Sequence, residues 1–340
     1  MLRDVANRLL HRVLPDQQRR TAAELTEDLD LGAGDVRSKS SAFWTMLVLS
    51  AVIASAGVVA DSTATVIGAM IIAPLSTPIM GVGLGIARRS GATTRRSAVF
   101  TIAGAATVIA IGVCFSLIVP GGVDLLDNSQ IAGRTSPGLV DLISAVATGF
   151  AGAVAFARRD VAAVLPGVAI AISLVPPLAV VGVCLGQGAF TLALGALVLF
   201  VSNFVALVLA GTLVFTAAGY AAETDGVVQL SQRRAGVVVG LLLLVVLVPM
   251  AANSVGAYLI ARWTARVEAT ADQWVAQEPG AKVTAVTVTG TSVQVRVQAP
   301  GELPPVEELV SDLSGQIPNG VAVVVDTTVG EEIHAGVVGD

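Results

Sequence analysis

The chain has 340 residues, of which 54% are hydrophobic and 13% charged, and its formal net charge is −5. A soluble domain carries about 25% charged residues, so half the charge needed to clothe a water-facing surface is missing and the composition is that of an integral membrane protein. Nucleic-acid binding has no basic excess behind it, two cysteines build no disulfide scaffold, and the two histidines, His11 and His334, belong to no ligand-spaced cluster, so neither a metal nor another cofactor is expected.

Residues 1–40 are polar and charged and read as a cytoplasmic segment without a cleavable signal peptide. Within them, residues 2–14 set Leu2, Val5, Leu9 and Val13 on one helical face with Arg3, Arg8 and Arg12 interspersed. That pattern suits a basic amphipathic helix, lying on the inner leaflet or packed on its own protein. At about 20 apolar residues per crossing, seven spans follow, near 42–60, 65–87, 97–119, 138–157, 161–186, 189–219 and 235–261. The first would serve as its own uncleaved insertion signal. Cys114 and Cys184 fall inside these stretches and read as small buried hydrophobes.

Basic residues sort sharply across this map. Arg3, Arg8, Arg12, Arg19, Arg20, Arg37 and Lys39 precede the first span, Arg88, Arg89, Arg95 and Arg96 follow the second, Arg158 and Arg159 follow the fourth, and Arg233 and Arg234 precede the seventh. All of these share one side, and the other holds Arg134 and four bases of the tail. The positive-inside rule then puts the N-terminus in the cytoplasm and, with seven crossings, the C-terminus outside.

An internal match recurs at an interval of 99 residues: Asp61 with Asp160, Gly68 with Gly167, Ile71 with Ile170, Leu75 with Leu174, Pro78 with Pro177, Val82 with Val181 and Gly83 with Gly182. Spans one to three (41–119) then correspond to spans four to six (138–219) in a core of residues 41–219. Three crossings per unit is an odd number, so the two units would insert with opposite orientation, as a 3+3 inverted repeat of the kind common in secondary transporters. Proline interrupts both central spans, at Pro74–Pro78 and at Pro176–Pro177. Proline lacks an amide donor and disrupts the carbonyl four residues back, and freed backbone at membrane depth must be satisfied by other helices or line a cavity.

Polar groups near these breaks are Ser76, Thr77 and Ser173, with Ser202 and Asn203 midway along the sixth span. The candidate substrate-binding set is Pro74, Ser76, Thr77, Pro78, Ser173, Pro176, Pro177 and Asn203. Asp61 and Asp160 begin spans two and five, where aspartate is a favoured N-cap. Asp141, in the fourth span, lies near its outer end. These three acids are the candidates for ion or proton coupling. No histidine or lysine lies within a span, so the base that an intramembrane enzyme needs is missing and the chain is not expected to be an enzyme. Glycine and alanine throughout the spans favour close helix packing and a homo-oligomer.

Residues 220–261 read as a cytoplasmic loop and the seventh span. The remaining tail, 262–340, is acidic and alternates Val with polar residues, which predicts a helix (262–278), strands at 282–289 and 292–299 around a Gly290-Thr291 turn, a helix (305–316) and a strand (320–329). The expected fold is therefore a polytopic α-helical membrane protein of about seven spans with a small extracytoplasmic α+β domain.

The stretch ASAGVVADSTATVIGAMIIAPLSTPIMG (54–81) and LPGVAIAISLVPP (165–177) resemble a bacterial uncharacterised hydrophobic-domain membrane family, domain of unknown function 389. The matching residues are Asp61, Ser62, Gly68, Ala69, Met70, Pro74, Pro78, Gly167, Pro176 and Pro177. The resemblance implies a polytopic protein of the bacterial inner membrane and supplies no substrate. The residue pattern itself points to a transporter or channel for a small solute or ion. The alternative is a non-transporting oligomeric scaffold or sensor acting through its C-terminal domain.

Overall fold

The computed structural model describes residues 13–15, 17–119, 125, 127–161, 174–220, 232–289, 292–301, 303–317 and 321–329, with most side chains between 232 and 257 excepted. The amphipathic segment 2–14 lies almost wholly outside them. The chain forms two compact units, Met1–Asn253 and Ser254–Asp340.

The first unit is helical. Helix α1 (Ala22–Leu29) opens with a capping box, in which Thr21 and Glu24 each accept the other's backbone amide. Helix α2 (Val36–Val59) is the first long apolar helix, with Asp35 as its N-cap. The second expected span is broken into α3 (Thr63–Ile72) and α4 (Ser76–Ala87), bent by 48° at the break. Helix α5 (Gly91–Ile118) follows, then the short α6 (Ser129–Thr135), α7 (Leu139–Ala157), α8 (Val175–Gly186) and α9 (Phe190–Ala217).

Among the described residues, α2, α5, α7 and α9 are each long and apolar enough to cross a membrane, and the bent α3–α4 pair makes up to five. The fifth expected span is represented by α8, whose preceding residues 162–173 lie outside the described ones. The seventh falls within helix α10 (Gln232–Val275), which runs unbroken past the expected boundary at 261. Val99, Ile102, Leu117, Ile118, Val140 and Ile143 project from α5 and α7, an apolar exterior that suits lipid. Cys114 is exposed on α5 rather than buried as expected, whereas Cys184 is buried.

Corresponding elements recur with matching bounds. Helices α4 and α8 have 12 residues each and begin at 76 and 175, an offset of 99; α5 and α9 have 28 each and begin at 91 and 190, again an offset of 99. Their connections share corresponding hydrogen bonds. The Ser90 amide donates to the Gly85 carbonyl and the Ala189 amide to Cys184, both at 2.8 Å, while Arg89 donates to Ile86 and Gly188 to Leu185, both at 3.1 Å. The residue that turns the chain is left-handed in both places, Arg89 with φ 55° and Gly188 with φ 74°.

Helix seams in this unit are made by glycine. A β-carbon on Gly83 of α4 would lie 3.1 Å from the Val208 carbonyl and 3.2 Å from the Thr212 amide of α9. A β-carbon on Gly182 of α8 would run into the Ile109 carbonyl of α5 and lie 2.9 Å from the Val113 amide. Gly112 faces Gly182 across that seam and Gly211 faces Gly83 across the other.

The second unit contains the C-terminal part of α10, strands β1 (Lys282–Thr289) and β2 (Ser292–Ala299), helix α11 (Val306–Leu313) and β3 (Ala322–Val329). The sheet order is β1-β2-β3, with β1 antiparallel and β3 parallel to β2. Val293, Val295 and Val297 are buried while Gln294 and Arg296 are exposed, the alternation of a sheet covered on one face. Val267, Ala271, Trp274, Leu309 and Leu313 of the two helices complete that core, and the Trp274 indole donates to the Pro305 carbonyl at 3.1 Å.

Candidate functional site

The break at residues 73–75 is built around Pro74. Pro78 sits third in α4 and Pro177 third in α8, where the first-turn amides have no intrahelical acceptor, so a residue without an N–H loses nothing there. Pro176 and Pro177 are thus seated in the first turn of α8 and are buried with it. Pro74, Ser76 and Thr77 are half-buried at the break. The Ala69 carbonyl, in the last turn of α3 before the break, accepts the Ser50 hydroxyl of α2 at 2.9 Å, with Ser50 wholly buried. Ser173 lies outside the described residues.

The acids are placed differently from one another. Ser62, not Asp61, is the N-cap of α3. Asp61 turns left-handed, with φ 48°, a conformation that aspartate tolerates better than most residues. Its Oδ1 accepts the Ser129 hydroxyl at 2.7 Å and the Gln130 amide at 3.1 Å, so it ties the turn between α2 and α3 to the start of α6. The Ser129 hydrogen bond foremost, with the Gln130 amide, holds the Asp61 carboxyl below its ordinary range. Asp160 is paired bidentately with Arg158, at 2.9 and 2.5 Å, and that partner lowers its carboxyl likewise.

Asp141 is third in α7, and its Oδ2 accepts the Gly138 amide at 2.8 Å, capping the helix. It also lines a cavity of about 250 Å³, together with Gly133 and Arg134 of α6, Ser144 of α7 and Asn203 of α9; Ala145 and Leu199 form its apolar wall. Two candidates read from the sequence, Asp141 and Asn203, therefore meet in one space, apart from the proline group in the chain. Ser202 is buried beside Asn203 and donates to the Val198 carbonyl at 2.5 Å.

Arg134 and Ser144 were not among the expected site residues. The signal for Arg134 was its isolation, as the one base in the 120–137 segment. Its guanidinium donates to the Gln130 carbonyl at 2.7 Å and to Gln130 Oε1 at 3.1 Å, and burial pushes its pKa below the ordinary arginine value. Among the described residues, no group of three or more His, Cys, Asp or Glu side chains is arranged to hold a metal ion.

Residues 70–209 match the family model described as Domain of unknown function (DUF389), a match that takes in residues 70–81 and 165–177 of the two stretches that carry the resemblance. An uncharacterized protein of Methanocaldococcus jannaschii is 33% identical over 195 residues, 57% of this chain and 60% of that protein. The chain thus spans about three fifths of the length of the relative it matches. No solved structure matches it.

Proposed function

We propose that the chain is a transporter or channel for a small solute or ion, built as a 3+3 inverted repeat in the cytoplasmic membrane. The observation that carries this reading is the exchange of partners between the two 99-residue-spaced repeats, both within the helical unit. Gly83 of the first repeat packs on Val208, Gly211 and Thr212 of the second repeat, and Gly182 of the second repeat packs on Ile109, Gly112 and Val113 of the first. Each residue in one set is 99 positions from its counterpart in the other. When residue i of one copy meets j of the other and the reverse also holds, the two copies are related by a two-fold axis. Three crossings per copy would put that axis in the membrane plane, the arrangement that lets one unit rock against the other around a central path.

On this reading the backbone at Pro74–Pro78 and at Ser173–Pro177, with Ser76, Thr77 and Asn203, contacts the solute. Of the acids proposed for coupling, Asp141 lines a cavity, whereas Asp61 and Asp160 are held in local hydrogen-bonded structure. The orientation has the N-terminus in the cytoplasm and the acidic domain outside, and the small-residue seams suit a homo-oligomer. The partners are then the lipid bilayer, the solute and further copies of the chain.

The test is flux in proteoliposomes across a panel of ions and small solutes, with Pro74→Ala compared with the parent protein. Flux that falls at least tenfold in the variant, with the folded yield kept, supports the proline breaks as the path. Unchanged flux removes them. No flux for any solute in the panel would favour the non-transporting scaffold or sensor, whose observation is the separately packed C-terminal unit.

A further inference from the structure

The cavity between α6, α7 and α9 brings a cation and an anion to one small space without joining them. Arg134 is half-buried, and its only hydrogen bonds among the described residues are to the neutral Gln130. No carboxylate pairs with it among those residues. Asp141 lines the same cavity and makes no ion pair among the described residues either; one of its oxygens is engaged by the Gly138 amide. Asp141 and Ser144 stand exposed on the cavity lining while Arg134 is half-buried, and a charge left unpaired in a partly desolvated place is costly. Here both are held apart by their own helices, Arg134 by α6 and Asp141 by its cap on α7.

The arrangement selects its occupant. A simple anion drawn to Arg134 would be opposed by Asp141, and a simple cation drawn to Asp141 would be opposed by Arg134. A molecule carrying both charges satisfies both walls at once. Size narrows it further: drug-sized ligands take about 300–1,000 Å³, and this cavity of about 250 Å³ suits something smaller. Asn203, 6% exposed on α9, and Ser144 supply amide and hydroxyl groups on the same lining.

We propose that this cavity binds a small zwitterion, its anionic group on the Arg134 guanidinium and its ammonium group on the Asp141 carboxylate, with Asn203 and Ser144 as polar lining. Two sources carry that chemistry, a free amino acid and the headgroup of an aminophospholipid such as phosphatidylethanolamine. The inference does not depend on transport: binding at equilibrium is read without flux, so either reading can fail while the other stands.

The experiment uses the full chain in nanodiscs of phosphatidylglycerol, titrated calorimetrically with glycine, β-alanine and 4-aminobutyrate, whose two charges lie progressively further apart. A parallel sample in mixed phosphatidylethanolamine and phosphatidylglycerol is examined by native mass spectrometry for the lipid retained. Saturable binding of one of the three amino acids identifies a free solute, and preferential retention of phosphatidylethanolamine identifies a headgroup; either supports the site. Binding should weaken at least tenfold in Arg134→Gln and in Asp141→Asn, and less in Arg134→Lys, which keeps the charge. Should Arg134→Gln fail to fold, Asp141→Asn and Arg134→Lys carry the comparison. The proposal is overturned by the absence of both kinds of binding, by binding unchanged in Asp141→Asn, or by acetate or ethylamine binding as tightly as the amino acids.

Discussion

Gly112 and Gly211 occupy corresponding places in the two glycine seams, and replacing each by alanine should have unequal consequences. A β-carbon on Gly112 would stand 2.7 Å from the Ala179 carbonyl, 3.0 Å from Gly182 Cα and 3.2 Å from the Val183 amide, all backbone of α8. Ordinary carbon–oxygen approach is about 3.3–3.6 Å, so α5 and α8 must separate by about 0.6 Å or more. A gap of about 0.5–1 Å forfeits a quarter to a half of each dispersion contact along the seam, and overpacking of this kind costs about 1–3 kcal/mol. On Gly211 the same atom meets side chains, Met80 Sδ at 3.1 Å and Phe215 Cε2 at 3.4 Å, which can yield by a few tenths of an ångström. There the entropic gain of alanine over glycine, about 0.5–1 kcal/mol in a helix, offsets the strain. At ~2–4 °C per kcal/mol for a domain of about 150–250 residues, Gly112→Ala should lower the melting temperature in detergent by about 2–12 °C. Gly211→Ala should stay within about 2 °C of the parent. Fluorescence-detected size exclusion after a heating series reads both. Equal losses in the two variants, or a neutral Gly112→Ala, would refute the reasoning.

Three further outcomes are expected. Ser50→Ala removes the buried interhelical hydrogen bond to the Ala69 carbonyl beside the proline break and should cost about 0.6–2 kcal/mol, seen as a lowered melting temperature that Ser50→Thr restores in part. Asp61→Asn keeps a side chain that tolerates the left-handed turn but removes the charge. Because the folded carboxyl lies below its unfolded value of about 3.9, its stabilisation is complete above that pH and is lost as pH falls through the folded value. The gap in melting temperature between parent and Asp61→Asn should therefore be constant from about pH 8 to 5 and narrow progressively once the pH falls below the unfolded value; a gap that widens on acidification contradicts the assignment. Arg96→Ala leaves Asp30, 1% exposed, without the guanidinium 2.8 Å away, and since Arg96 is itself half-exposed the cost is held to about 1–2 kcal/mol. Its readout is faster proteolytic cleavage between residues 20 and 35.

Much of this architecture is written in local pattern. The alternation from Val293 to Val297 survives as buried and exposed positions of β2, and Pro74 marks the break between α3 and α4. Where two good capping residues stand side by side, at Asp61 and Ser62, pattern alone cannot choose; the left-handed turn of Asp61 passes the cap to Ser62 and frees the carboxylate for α6. Helix α1 did carry a local signal, the Thr21-x-x-Glu24 capping box, though it lies in a segment that reads only as polar. Other features are tertiary from the start. Arg134 becomes part of a cavity because α6 lies against α9, where the Thr135 carbonyl leaves no room for a side chain at Gly195. Gly112 and Gly211 look like two small residues among many until the helices they meet are known.

The segment from Gln18 to Asp30 has a consequence for how the chain is made. Arg19 donates to the Ala218 carbonyl, 199 residues away, and the Arg20 carbonyl accepts the Tyr220 hydroxyl, 200 residues away. The Arg20 amide reaches Ala157, and Glu24 is bridged by Arg159. None of these partners exists while the first spans are entering the bilayer. The earliest-synthesised part of the described structure thus completes its contacts late: the Asp30–Arg96 pair can form once α5 is made, but a ribosome-bound intermediate ending before residue 218 still lacks the Arg19–Ala218 and Arg20–Tyr220 bonds, so that end of the segment stays open to proteases and targeting factors until the sixth expected span has emerged.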